Sequence, residues 1–478
     1  MRGVETSGMR APVFIATLCL SALLGFAVLR SPHTGAFDFQ AFYCAGSALR
    51  AHADPYRTQP LGSCEHAHTD ATYAALPADV VLPAPLPGYD IAGFAVLSVL
   101  PFDLAKAVWG ALLGAAIALA VFMVASATRA PFLAVLTALA ASLVFPSLAF
   151  GEIFALFAAS AFAAMFSASK RNWTVAGLAA AASLAEPHLG LPVCLSLFVW
   201  APRVRVPLAA GAGALVAISI ATLGLQANAE YLFMVLPLHA LAELGSDAQM
   251  SLSAVLYALG MTSRMAIAAG AISYVLAMIG GIALAGVLAK RTGERAFLVA
   301  VPAAAALYAG SFIHVTEFFA AVPLALLLTR VRGRAGAAAL AALVLLSVPW
   351  YTALERGDVT ALAALGALCV FAVLWRLNRN VPAALASAAL AFAVLFFAPA
   401  HGSAAASHHA AGETIADASY PQAGWQKFIR SELSTGSAAS WLLRSLSWSG
   451  LLLLGAGAAL AARDPDGLLV DEFANAES

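Results

Sequence analysis

Between short charged interruptions the sequence repeatedly supplies apolar runs of the length that crosses a bilayer. The ~30 Å hydrocarbon core takes about 20 apolar residues per helix, and runs of that kind offer no polar face with which to fold in water. Of the 478 residues 62% are hydrophobic and 10% charged, with a mean hydropathy of +0.87; a soluble domain carries roughly one-quarter charged residues. The runs are rich in Ala and Leu and do not alternate, so they read as helices that satisfy their own backbone rather than as strands of a barrel. The expected fold class is all-α, a polytopic transmembrane helix bundle. Spans are read at 11–29, 105–126, 131–149, 152–168, 206–225, 265–289, 296–310, 317–329, 335–352, 358–376, 383–400 and 441–462, about twelve in all. Segment 91–101 is too short to cross, and 173–201 is one apolar stretch broken by Glu186-Pro187-His188, which reads as a re-entrant hairpin.

The first run, Ala11 to Leu29, follows Arg2 and Arg10, and no Ala-x-Ala-like site stands at Leu29, Arg30 and Ser31, so it is read as a retained span. With the N-terminus inside, most basic residues fall in short cytoplasmic segments, among them Arg129, Lys170, Arg171, Lys290, Arg291 and Arg330. The expected location is the inner (plasma) membrane, multi-pass, with both termini cytoplasmic. Both ends of the hairpin are then cytoplasmic, and each half rises only ~20 Å at 1.5 Å per residue. Its Glu/His tip stops within the membrane, where such groups are tolerated only against protein or a water-filled cavity. The long segments, 30–104, 226–264 and 401–440, all face outward; the last, with His401, His408 and His409, reads partly as linker. Two modules are expected, 1–290 and 291–478. With 25 basic and 25 acidic residues no overall field favours nucleic acid.

The chemistry-bearing residues concentrate in the first outward segment. Phe39, Phe42, Tyr43, Gly46 and Leu49 recur at helical spacing, so a short interfacial helix is expected there, with Asp38 at its N-terminus. Taken alone, an Asp in that position is most often an N-cap. Cys44 and Cys64 share the segment and are a candidate disulfide in an oxidising compartment, closing the chain around Asp54-Pro55-Tyr56. Cys19, Cys194 and Cys369 fall in spans as small packing residues, and His52, His66 and His68 read as solvated loop residues.

Asp38, Tyr43, Ala45-Gly46 and Asp54-Pro55-Tyr56, directly after a first transmembrane helix, resemble glycosyltransferase family 87, the polyprenyl-phosphate-mannose-dependent mannosyltransferases of the GT-C fold. Further stretches follow the family's order: Gly151-Glu152 where it has Gly-Gln, Glu186-Pro187 for Lys-Pro, Gln249-Met250-Ser251 for its Gln-Ser motif, and Phe312-Ile313-His314 for a late aromatic-His motif. The resemblance covers about residues 11 to 330. It implies a GT-C-like bundle that transfers a mannose-like hexose from a polyprenyl-phosphate donor to a lipid or glycan acceptor. A phosphate leaves without being protonated, so one general base suffices, and Asp38 is the residue implied. His314, Arg57 and Arg50 are the candidates for meeting the leaving phosphate. Asp54, Tyr56, Gln249, Ser251, Glu186, His188 and Glu152 complete the implied donor site. No cofactor is required, but Glu186 stands where the family has a cation and Glu152 where it has a neutral amide. A divalent metal held by Glu186, His188 or Glu152 is one way to restore positive charge.

Two other function classes remain open. A lipid-linked-sugar transporter or flippase needs a polar path across the whole membrane and is usually built from repeats, and neither is visible. A non-catalytic subunit of a glycan assembly system fits the altered charges at Glu152 and Glu186.

Overall fold

The computed structural model describes residues 11–30, 36–68, 77, 80–246, 248–331, 333–347, 413–432 and 438–463. The spans expected at 358–376 and 383–400, with Cys369, His401, His408 and His409, lie outside the described residues. Among those described the regular structure is helical, without strands, and an isolated β-bridge joins Gln249 and His314. Four helices are long and apolar enough to cross a membrane: Phe102–Thr128, Pro202–Glu243, Ser263–Thr292 and Arg444–Arg463. A bent pair, Phe132–Leu139 with Ser142–Phe150, turns by 58° and would make a fifth. Val216, Ile218, Leu276 and Ile279 on two of these helices are exposed, which is stable against hydrocarbon and costly against water.

In chain order the helices are α1 (Ala11–Arg30), α2 (Phe37–Arg50), α3 (Thr58–His68), α4 (Gly88–Leu97), α5 (Phe102–Thr128), α6 (Phe132–Leu139), α7 (Phe145–Phe150) and α8 (Phe154–Ser169). They are followed by α9 (Trp173–Ala182), α10 (Pro187–Trp200), α11 (Arg205–Glu230), α12 (Leu236–Glu243), α13 (Leu252–Ala258), α14 (Ser263–Thr292) and α15 (Phe297–Ala306). A 3₁₀ helix, Val315–Ala321, leads into α16 (Val322–Leu328) and α17 (Arg334–Leu346). Two helices follow near the end, α18 (Pro421–Glu432) and α19 (Ala438–Arg463).

Small residues set the tightest packing. A side chain on Gly110 would meet the Gly25 carbonyl oxygen at 2.2 Å, and one on Gly114 the Ser21 oxygen at 2.0 Å. This Gly-x-x-x-Gly face of α5 lets α1 approach backbone to backbone, where membrane helices gain van der Waals contact without hydrophobic drive. It anchors the helix from which α2 departs.

The expected hairpin is present: α9 and α10 are broken at Ser183–Ala185 and Glu186, and Pro187 opens α10. Two expectations change. Helix α11 continues past 225 to Glu230, with non-helical backbone at Gly224, and α12 extends the helical path to Glu243, so the segment 226–264, expected to face outward, is mostly helix. Residues 413–432 of the expected linker carry α18, hydrogen-bonded back onto the bundle.

Candidate functional site

Asp38 lies in the first turn of α2, not at its cap: Ala36 holds the N-cap position without a side-chain bond. The Ala36 N–H donates to Ala149 O at 3.0 Å, which ties the start of α2 to the end of α7. Next to it, Gly151 adopts φ 77°, and a side chain there would strike Phe39 at 2.7 Å. Trp109 pins the same turn by donating to Gly151 O at 2.8 Å. The fit of Gly151 against Phe39 sets Asp38 beside Glu152.

The helix is more enclosed than an interfacial helix would be, because every residue from Phe39 to Gly46 is buried. Helix α4 covers one side and α3 the other, joined to α2 by a Cys44–Cys64 disulfide. Among the remaining cysteines, Cys194 is buried as expected, whereas Cys19 is exposed on α1. His68 is not solvated but stacks on Phe102, ring centroids 4.5 Å apart.

Opposite Asp38 stands the hairpin tip. Glu186 Oε2 is 3.6 Å from His188 Nδ1, and His188 Nε2 is 2.7 Å from Glu317 Oε2. Tyr274 of α14 fixes the tip by donating to His188 O at 2.5 Å. Glu317 is fully buried, and its second oxygen accepts from the His314 N–H at 3.0 Å. His314 Nε2 in turn stands 3.6 Å from Glu243 Oε2. One chain of contacts therefore runs from Glu186 through His188, Glu317 and His314 to Glu243, and Phe312 packs against His188, His239 and His314 along it.

The two motifs read at Gln249-Met250-Ser251 and Phe312-Ile313-His314 are zipped together. Met250 N–H donates to Ile313 O at 2.7 Å, Val315 N–H to Ala248 O at 3.0 Å, and Gln249 Oε1 accepts from the Ile313 N–H at 3.2 Å. Ser251 caps α13 by accepting from the Ala254 N–H.

Of the residues singled out in the sequence, Asp38, Glu152, Glu186, His188 and His314 lie within electrostatic reach of one another, with Gln249 backing His314. Arg57 is drawn elsewhere: it bonds Asp54 at 3.1 Å and Glu230 at 2.6 Å. Asp54 also accepts from the Tyr56 N–H, and the Tyr56 hydroxyl donates to Leu86 O. Arg50 is exposed at the far end of α2. The site is thus acidic and histidine-rich, and among the described residues no three such side chains converge as a metal-binding group.

Burial pushes the Asp38 carboxyl up to about 7, against the pull of His314 and with the help of Glu243. For His314, burial acts to lower the imidazolium, but the Glu243 hydrogen bond and charge, with Glu317 and Asp38 nearby, hold it above the ordinary histidine value. A carboxyl poised near neutrality beside a cationic ring can take a proton and steady an anion. Around these groups Asp90 Oδ2, Glu152 Oε2, His239 Nδ1, Gln249 Nε2 and Thr316 Oγ1 are buried without a hydrogen-bond partner. Buried polar atoms are ordinarily satisfied, so these atoms are free to meet water or a polar ligand.

The sequence reading missed Asp90, His239, Glu243 and Glu317. Glu317 follows His314 by three, the spacing of a capping box, and its carboxylate accepts from the His314 N–H as the acid of such a box does. His239 and Glu243 share one helix face at i, i+4. Asp90 carried no signal beyond its place in the first turn of a short helix. Among the described residues the regular structure is thus all helical, with several helices apolar enough to cross a membrane and a buried cluster of acids and histidines. No protein-family model and no curated protein matches it.

Proposed function

We propose that this chain is an integral membrane glycosyltransferase that moves a mannose-like hexose from a polyprenyl-phosphate donor to a lipid or glycan acceptor. It works at the extracytoplasmic face of the plasma membrane, as a GT-C-like bundle of about twelve spans with both termini in the cytoplasm. The observation that carries this reading is the position of Asp38: a carboxyl of near-neutral pKa, facing His314 and the hairpin tip from the first turn of α2.

In the proposed reaction the acceptor hydroxyl gives its proton to Asp38 while its oxygen bonds the anomeric carbon. The bond from that carbon to the phosphate oxygen breaks, and the polyprenyl phosphate leaves with the electron pair. Attack on the face opposite the leaving group inverts the anomeric centre. His314, held by Glu243, meets the phosphate, and the unpartnered Asp90 and Glu152 oxygens are placed to accept sugar hydroxyls.

One observation favours the non-catalytic subunit as a second reading. The described site residues are mostly carboxyls, and Arg57 is already paired with two of the chain's own acids. The test is transfer from labelled polyprenyl-phospho sugars by membranes carrying the chain. Wild-type transfer that disappears in Asp38→Asn is expected; unchanged transfer in that variant overturns the role of Asp38, and no transfer from any donor moves the chain to the subunit reading.

A further inference from the structure

Residues 413–432 lie across the bundle at the end that carries the site and are held there mainly by polar contacts. Glu413 pairs with Arg264 of α14 at 2.5 Å. The Thr58 N–H donates to Ser419 O at 2.8 Å, and the Tyr420 hydroxyl to Glu230 at 2.6 Å, with the Arg57 guanidinium 4.2 Å above the Tyr420 ring. Apolar contacts add to these: Ile415, Ala423 and Trp425 meet Ala242, Leu238 and Leu241 in a cluster separate from the main core, and Tyr420 joins the main core itself. The polar ties can be exchanged for water if the segment lifts.

From this strap one side chain reaches the site. The Trp425 indole N–H donates to Glu243 Oε1, and Glu243 Oε2 is the oxygen facing His314. Glu243 is 5% exposed, and a carboxylate so buried requires partners on both oxygens. It finds one on the strap and one in the site.

We propose that Trp425 is a positioning residue: the strap, when seated, aims Glu243 at His314, and when lifted releases that histidine from its carboxylate. The proposal rests on the glycosyltransferase reading only for what His314 then does to a phosphate. His314 is faced by Glu243 on α12, Glu317 on the 3₁₀ helix, Asp38 on α2, Glu186 at the hairpin tip and His239. Of these, Glu243 is the one hydrogen-bonded to the strap. Closure over a bound lipid phosphate would then complete the site and exclude water in a single motion.

The test is the titration of His314 in the full chain in lipid nanodiscs, followed by histidine ring ¹⁵N signals assigned with His314→Gln. Trp425→Phe keeps an aromatic side chain, though a smaller one, and deletes the N–H, and is expected to lower the midpoint by about half a unit or more. Glu243→Gln lowers it further, and adding Trp425→Phe to Glu243→Gln changes nothing more, because the strap acts through that carboxylate. Tyr420→Phe, which loosens the strap without touching Glu243, shifts the midpoint in the same direction. Unchanged midpoints in both Trp425→Phe and Tyr420→Phe, or a fully additive shift in the double variant, overturn the proposal. Transfer from a labelled polyprenyl-phospho sugar, measured alongside, reports separately on the reaction: its absence sinks the glycosyltransferase reading while the titration still decides the strap.

Discussion

The α2–α4 region and the 413–432 strap both border the site, yet they are held by opposite means. Helix α2 is nailed down by apolar packing and a covalent bond: Phe42 and Phe94 have ring centroids 5.2 Å apart, Phe94 and Trp109 4.7 Å, and Cys44 is bonded to Cys64. The strap is held by side-chain hydrogen bonds and ion pairs. The first region fixes a carboxyl within a rigid frame, which is what proton transfer demands. The second carries the side chain that reaches Glu243. The contrast is one of rigidity against release, and variants in each region should fail differently.

Asp38→Asn should give the largest effect, a loss of transfer of about 10²- to 10⁴-fold if the carboxyl is the base. Its stability effect runs the other way. Burial raises the Asp38 pKa from 3.8 to about 7 in the folded chain, so the unfolded chain releases this proton first and folding loses stability as pH rises across that window. The variant should therefore melt with the wild type near pH 4 and above it at pH 8. Wild-type transfer should rise with pH through about 7 as Asp38 becomes the free base. A pH-independent rate, or a variant less stable at pH 8, would break the claim that burial tunes this group.

Cys44→Ala with Cys64→Ala comes next. The two residues are 20 apart in sequence, and freeing a loop of that size costs about 3 kcal/mol in the chain-entropy account. The loss should register as a lower melting temperature and faster amide exchange in α2 and α3, with transfer falling because the frame around Asp38 loosens. Exchange in 413–432 should not change, which would separate the two regions directly.

How much of this was legible differs between the regions for a physical reason. The Glu186–His188 break stood out because it interrupts an apolar run, where a polar group needs a partner, whereas Asp38 and His314 stood out only through the motif resemblance. The Cys44–Cys64 pair was readable from shared location. Glu243, His239 and Trp425 were not, because α11 and α12 continue through a segment expected to be mostly loop, and no local pattern announces that an indole in residues 413–432 meets a carboxylate 182 positions earlier. The linker reading of 401–440 rested on its polar composition. Polar composition cannot distinguish a solvated chain from one bonded residue by residue to a bundle. Arg57 is the converse case: its charge suggested a phosphate, and no local pattern announced its pairing with Asp54 and Glu230.

The smallest effects should lie within the strap, and their order tests what seats it. Tyr420→Phe removes a hydroxyl that donates to the part-buried Glu230 carboxylate, while keeping the ring beneath Arg57. Hydrogen bonds to charged groups contribute about 1.5–3 kcal/mol, and partial exposure reduces this toward about 1 kcal/mol, so amide exchange and proteolysis of 413–432 should speed up by roughly fivefold. Arg264→Ala removes the Glu413 ion pair, whose arginine is 83% exposed. Water and salt screen such a pair and the arginine surrenders rotamer freedom to make it, so exchange should change by less than about twofold and the difference should vanish in high salt. If instead Arg264→Ala opened the strap more than Tyr420→Phe, the segment would be held by its exposed rim rather than by the contacts that lead inward to Glu230 and Glu243, and its seating would be uncoupled from the site.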